Sequence, residues 1–239
     1  MLMHGLTGDW PLPLWLALQA LFWVTFAWSV WRLDLRHLRH LGDTSVWAGF
    51  TLFFTLLWRL NAGIEPGLSF HVFGTALLTL MFGFNYMLIG GVLGMIGNAL
   101  SGAGHLVDIP LSALFVLIIP GAITHLIWKV SLNKLPPNFF VYVWGVGFFG
   151  ASIAVCVSGT AVTTALWLGG LFSLDYLTSF YFPYSLMQAF PEGFITGMVL
   201  SLLVVYQPNW VATFRDEFYL HHKRPEDAHR RHPPKDSDQ

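Results

Sequence analysis

Ten histidines stand in a chain that has only 25 Asp, Glu, Lys and Arg residues, and three of them sit where backbone turns or the chain start could present a ring. His4 lies in Met1-Leu2-Met3-His4-Gly5, His71 follows Gly63-Ile64-Glu65-Pro66-Gly67 at the head of an apolar run, and His105 follows Gly102-Ala103-Gly104. Neutral imidazole is the commonest metal ligand among side chains. A free α-amine, a deprotonated amide nitrogen and a nearby ring make a planar nitrogen set that suits Ni(II) or Cu(II). For His4 that set closes best if translation begins at Met3. Glu192, directly after Pro191, is a carboxylate inside an apolar run. Such a group needs a partner, and Arg59 is the cation available. Read from residue type alone, the candidate metal ligands are His4, His71 and His105, with the amine of Met3 if the chain starts there and Glu192 as a neighbouring carboxylate.

Two other chemistries use the same residues. Ser101 and His105 share a Gly-rich stretch, and a Ser-His pair is the minimal activated nucleophile, which would make an intramembrane hydrolase. A haem or other redox protein would need two imidazoles at one depth. His71 and His125 fall about 20 Å apart by helix rise, whereas His71 and His105 could face one iron.

The elements that must position these groups are read from composition. Hydrophobic residues make up 55% of the chain and charged residues 10%, against about 25% charged in a soluble domain. Twelve of the 25 charges fall in the last 33 positions, so 13 serve the first 206. This excludes a soluble enzyme and a nucleic-acid binder, and the single cysteine, Cys156, excludes a disulfide scaffold. Apolar runs near the ~20 residues a membrane helix needs fall at 12–31, 44–60, 109–128, 139–168 and 185–206. The stretch 68–100 divides at Gly83-Phe84-Asn85 into 68–83 and 86–100. Seven spans with the N-terminus outside and the C-terminus inside put eleven of the twelve Lys and Arg on the inner side, Arg59 excepted. Six spans would strand Lys129 and Lys134 outside. The expected fold is an all-α polytopic membrane helix bundle over residues 1–206, followed by a charged cytoplasmic tail, 207–239, largely disordered and able to touch lipid. In that topology His4, His71 and His105 share the outer face. A stripe of small residues, Gly147, Ala151, Ala154, Ser158, Ala161 and Ala165, marks a helix-packing face on the sixth span. No Gly-x-x-x-x-Gly-Lys-Ser/Thr pattern occurs, so no nucleotide site of that kind is expected and the chain is read as a non-enzyme.

A Met-His start, then Gly67-Leu68-Ser69-Phe70-His71-Val72-Phe73-Gly74 and Leu77-Leu78-Thr79-Leu80-Met81-Phe82-Gly83, resembles the CbiM/NikM-type cobalt and nickel permeases. These are the substrate-capture membrane components (S components) of energy-coupling-factor (ECF) ABC transporters. Asn138-Phe139-Phe140-Val141-Tyr142, Phe148-Phe149-Gly150-Ala151 and Phe190-Pro191-Glu192-Gly193-Phe194 look like a divergent bacterial branch of ECF-type permeases. The resemblance implies a permease of the bacterial inner membrane for a divalent transition metal, Co or Ni, with Cu or Zn also compatible with nitrogen donors. It implies a separate coupling transmembrane subunit and ATPase subunits as partners. It puts the metal on the amine of Met3, the amide and ring of His4, and the ring of His71. Where those permeases carry acidic or proline residues after Met-His, this sequence has Gly5-Leu6-Thr7-Gly8.

Overall fold

The computed structural model describes residues 10–33, 44–59, 73–102, 104–214 and Tyr219, together with the backbone of 2–3, 62–65 and 68–70. Seven helices make up the bundle among these residues. We number them α1 (Leu12–Trp31), α2 (Thr44–Leu57), α3 (Thr75–Phe82), α4 (Phe84–Leu100), α5 (Leu106–Lys134), α6 (Val141–Leu168) and α7 (Leu174–Tyr206). The expected polytopic helical membrane bundle is what the chain forms. Arg32 and Lys129 line one cavity, while Trp10, just before α1, lies against Gly169, just after α6.

Burial follows what lipid permits. Apolar side chains facing hydrocarbon need no cover, so helix packing is decided by fit and polar contacts rather than by hydrophobicity. Thus α1 buries only Phe22 and Ser29 while Leu16, Trp23 and Val24 stay exposed. At the centre is α5, whose residues Ala113, Leu114, Phe115, Val116 and Leu117 are at most 3% exposed. Around it, α6 and α7 approach each other closely. A Cβ on Gly147 would come 2.9 Å from Leu200 of α7, and one on Gly193 would come 2.6 Å from the Phe148 carbonyl of α6. The Ser152 hydroxyl donates across the same interface to the Ala189 carbonyl at 2.9 Å. The small-residue stripe is spent within the chain, since the Ser158 hydroxyl donates to the Phe115 carbonyl of α5.

Two features were not expected. The apolar run over 68–83 is a strand, Leu68–Phe70, followed by α3, an eight-residue helix buried at every position. Eight residues rise about 12 Å, well short of the ~30 Å hydrocarbon core. Hydropathy counts residues and is blind to handedness. The run is broken by Gly74 at φ 65° and closed by Gly83 at φ 83°, conformations that glycine adopts without steric cost. The strand belongs to a small antiparallel sheet in the order β1 (Leu2–Met3), β3 (Leu68–Phe70), β2 (Ala62–Glu65), an addition to the all-α reading.

The second concerns the boundary at 206. The chain beyond Tyr206 turns back into the bundle, burying Val211, Thr213, Phe214 and Tyr219. The packed region therefore extends past the boundary that charge density suggests, because 208–214 carries no charge at all. Its purpose is visible in the hydrogen bonds. Ala212 N–H donates to the Met81 carbonyl at 2.8 Å and Thr213 N–H to the Leu80 carbonyl at 3.2 Å. The Thr213 hydroxyl adds a second bond to Leu80 at 2.6 Å. Its one proton is thereby used, so the Tyr142 hydroxyl, 2.5 Å away, donates to it. Trp128 Nε1 donates to the Thr213 carbonyl at 3.2 Å. The C-terminal end of α3 is capped by a segment 133 residues later in the chain.

Thr213→Val keeps the shape and deletes the hydroxyl, leaving the Tyr142 hydroxyl without its acceptor. It is expected to cost about 1–3 kcal/mol and to lower the unfolding temperature of the detergent-solubilised protein. Ser201→Ala, which removes only an i−4 bond within α7, should shift it by under about 0.5 kcal/mol.

Candidate functional site

The opposite end of α3 is held by a side chain. Glu192 lies on α7 immediately after the internal Pro191 and is 1% exposed. Its Oε2 accepts from the Phe73 N–H at 2.8 Å and its Oε1 from the Gly74 N–H at 2.6 Å. The amides at a helix start have no intrahelical acceptor, and the helix dipole makes this end favourable for negative charge. One carboxylate thus meets both needs, across a sequence separation of 119 residues.

The backbone between β3 and α3 is pinned on its other sides as well. Trp58 Nε1 of the segment after α2 donates to the Phe73 carbonyl at 3.1 Å. The Thr75 hydroxyl donates to the Val116 carbonyl of α5 at 2.6 Å. Gly74 admits no side chain, since a Cβ there would fall 1.8 Å from the Phe54 ring. Its left-handed φ turns the chain from the sheet into the helix.

Arg59 is not the partner of Glu192. Its guanidinium is exposed and donates to the Ser101 carbonyl at 3.1 Å. The physical reason is that two backbone amides carry the partial positive charge the carboxylate needs without dragging a guanidinium out of water. Charge in a sequence can be counted, whereas a pair of freed amides shows only as the Gly74 that frees them.

Of the expected metal-site residues, His4 and His71 lie outside the described residues. Met3 is described through its backbone in β1, which pairs Leu2 with Ser69 and Met3 with Leu68. The ladder runs antiparallel, so the end of β3 nearest His71 faces the N-terminal end of β1. In sequence His71 stands two positions before Phe73, whose amide and carbonyl are both engaged. His105 is exposed on the link between α4 and α5. Among the described residues no group of three His, Cys, Asp or Glu comes together. The hydrolase reading gains nothing either. The Ser101 hydroxyl donates to the Asn98 carbonyl at 2.9 Å, so its proton is aimed at backbone rather than at a base. His125, the other ring of the haem reading, lies against Trp128 with centroids 5.4 Å apart, at the end of the bundle remote from Glu192.

Sequence reasoning found Glu192 but missed Trp58, Phe73 and Gly74, which together hold the chain that leads out of His71. Glu192→Ala leaves two buried N–H groups without an acceptor, at about 1–3 kcal/mol each. Glu192→Gln keeps one acceptor oxygen. Unfolding temperatures in detergent are therefore expected in the order wild type, Glu192→Gln, Glu192→Ala, and equal values for all three would contradict the capping role.

Residues 8–210 match the CbiM family, described as the cobalt uptake substrate-specific transmembrane region. The match takes in His71, His105, Glu192 and every helix, and begins after Met3 and His4. No curated protein and no solved structure matches the chain. The matched stretch, 203 of 239 residues, coincides with an apolar multi-helix bundle, and we conclude that the chain is a multi-pass membrane protein that belongs to the CbiM family of cobalt uptake transmembrane regions.

Proposed function

We propose that this protein captures a divalent transition metal, cobalt or nickel, at the face where β1, β3 and the start of α3 meet. The metal is its substrate, with the ring of His71 and the N-terminal Met3 and His4 as its ligands; because the β1 ladder runs Met3 away from the His71 end of β3, this set requires the chain start to leave that ladder. The observation that carries the reading is the Glu192 clamp on Phe73 and Gly74. It supports a rigid backbone two residues from His71, as a ligand must be held by neighbours that do not move. Glu192 serves behind the site, with both oxygens committed to amides, and His105 stands outside it.

The remainder of the proposal follows from family and charge. Arg32, Lys129 and the tail 207–239 face the cytoplasm by the excess of Lys and Arg on that side, which puts the capture face outside. The membrane is a bacterial inner membrane. The sequence has no phosphate-binding loop of the Walker type, so uphill transport draws on separate ATPase and coupling subunits.

Calorimetric titration of the purified chain with Co(II) and Ni(II) tests this. Binding is expected to be abolished in His71→Ala, weakened at least tenfold in His4→Ala and unchanged in His105→Ala. It should also fall on acidification, because a protonated imidazole cannot coordinate a metal. Undiminished binding by His71→Ala would refute the site.

A further inference from the structure

At the end of the bundle remote from Glu192, α1 and α5 part. Along its first half α5 packs on α1. Over its second half a cavity of about 880 Å³ opens between α1, α5, the α3–α4 junction and the returning chain at Ala212 and Thr213. Two cations, Arg32 and Lys129, line it, and no Asp or Glu lines it among the described residues. The guanidinium of Arg32 lies over the Trp28 ring at 4.7 Å, which directs the charge instead of leaving it to sweep through solvent. Two buried polar atoms nearby, Asn85 Oδ1 and His125 Nδ1, have no hydrogen-bond partner. Both residues line the same cavity. An orphaned buried polar atom is costly and calls for an explanation. An imidazole can carry N–H at Nδ1, and an amide turned over presents its NH₂, so each has a donor to offer an anionic oxygen once its side chain rotates toward the cavity.

Apart from Thr25, Tyr86 and Thr213 the rest of the lining is apolar, and its rim carries exposed apolar side chains: Val24 is 69% exposed and Leu126 56% exposed. A water-soluble anion would have no use for such a rim. An amphiphile would, with its head at the two cations and its chains leaving between α1 and α5. We propose that this cavity binds the phosphate-bearing headgroup of an acidic membrane lipid, with Arg32 and Lys129 as the charge partners and Asn85 and His125 as donors. Basic pockets between transmembrane helices take acidic lipid headgroups by the same physics, a desolvated phosphate beside fixed cations. The inference stands apart from the metal site and does not depend on it.

The test is lipid retention by the full chain, purified in detergent and doped with equal amounts of phosphatidylglycerol and phosphatidylcholine, read by native mass spectrometry. Wild type is expected to retain phosphatidylglycerol at least fivefold over phosphatidylcholine. Arg32→Gln with Lys129→Gln should drop it to the phosphatidylcholine level, whereas Arg32→Lys with Lys129→Arg should keep it. Equal retention of the two lipids by wild type overturns the proposal, and that comparison needs no variant to fold. Undiminished retention by the double Gln variant overturns it as well. Displacement of phosphatidylglycerol by millimolar inorganic phosphate would reassign the cavity to a soluble phosphate and overturn the lipid assignment.

Discussion

A helix that begins and ends inside a bilayer leaves N–H groups bare at one end and carbonyls bare at the other, with no water to take them. Most of this molecule can be understood as the answer to that problem for α3. Glu192 accepts from the two amides at its start. Ala212 and Thr213 donate to Leu80 and Met81 near its end. The span is short because glycines with left-handed φ stop it on both sides, and it is tolerated because every one of its eight side chains is covered by protein.

The clamp at the N-terminal end depends in turn on how closely α6 and α7 meet. Glu192 can reach Phe73 only if α7 is seated at the right depth, and that depth is set by Gly193 and Gly197 lying against the backbone of Phe148. A larger residue at either position would lift α7 from α6 and carry the carboxylate with it. Pro191, one position earlier, removes one backbone donor from α7 beside the point where the helix must offer its acid. Helix packing, the capping of α3 and the anchoring of Phe73 and Gly74 are thus one arrangement seen from three elements.

Much of this was legible in the sequence, for stateable reasons. Lipid imposes a length on apolar runs and a side on cations, so the helical bundle and the gathering of Arg32 with Lys129 could be read directly. Glu192 could be picked out because a carboxylate in an apolar run must answer to something. Its partner could not, because backbone amides are present at every position and become available only where Gly74 turns the chain. The break at Gly83 was marked by the following Phe84 and Asn85, whereas a lone Gly74 in a mostly apolar stretch does not reveal that it turns left-handed. The return of 208–214 to the core escaped notice because a single threonine hydroxyl and a few amides do the capping, and neither hydropathy nor charge registers them. The histidines are a different case. His4 and His71 were prominent by type, yet they lie outside the described residues, so the order around them rests on Met3, Phe70 and Phe73.

The separation of α3 from its caps bears on how the chain is made. Its amides are closed by a residue 119 positions later and its last carbonyls by one 133 positions later. Synthesis runs from the N-terminus, so three further helices, α4, α5 and α6, are made while α3 is still open at both ends. An eight-residue helix with bare ends has no stable residence in lipid, and until α7 arrives it must shelter against α4 and α5 or wait at the membrane surface. Assembly of this protein therefore finishes in its middle: the segment next to His71 is among the first to be synthesised and the last to become rigid.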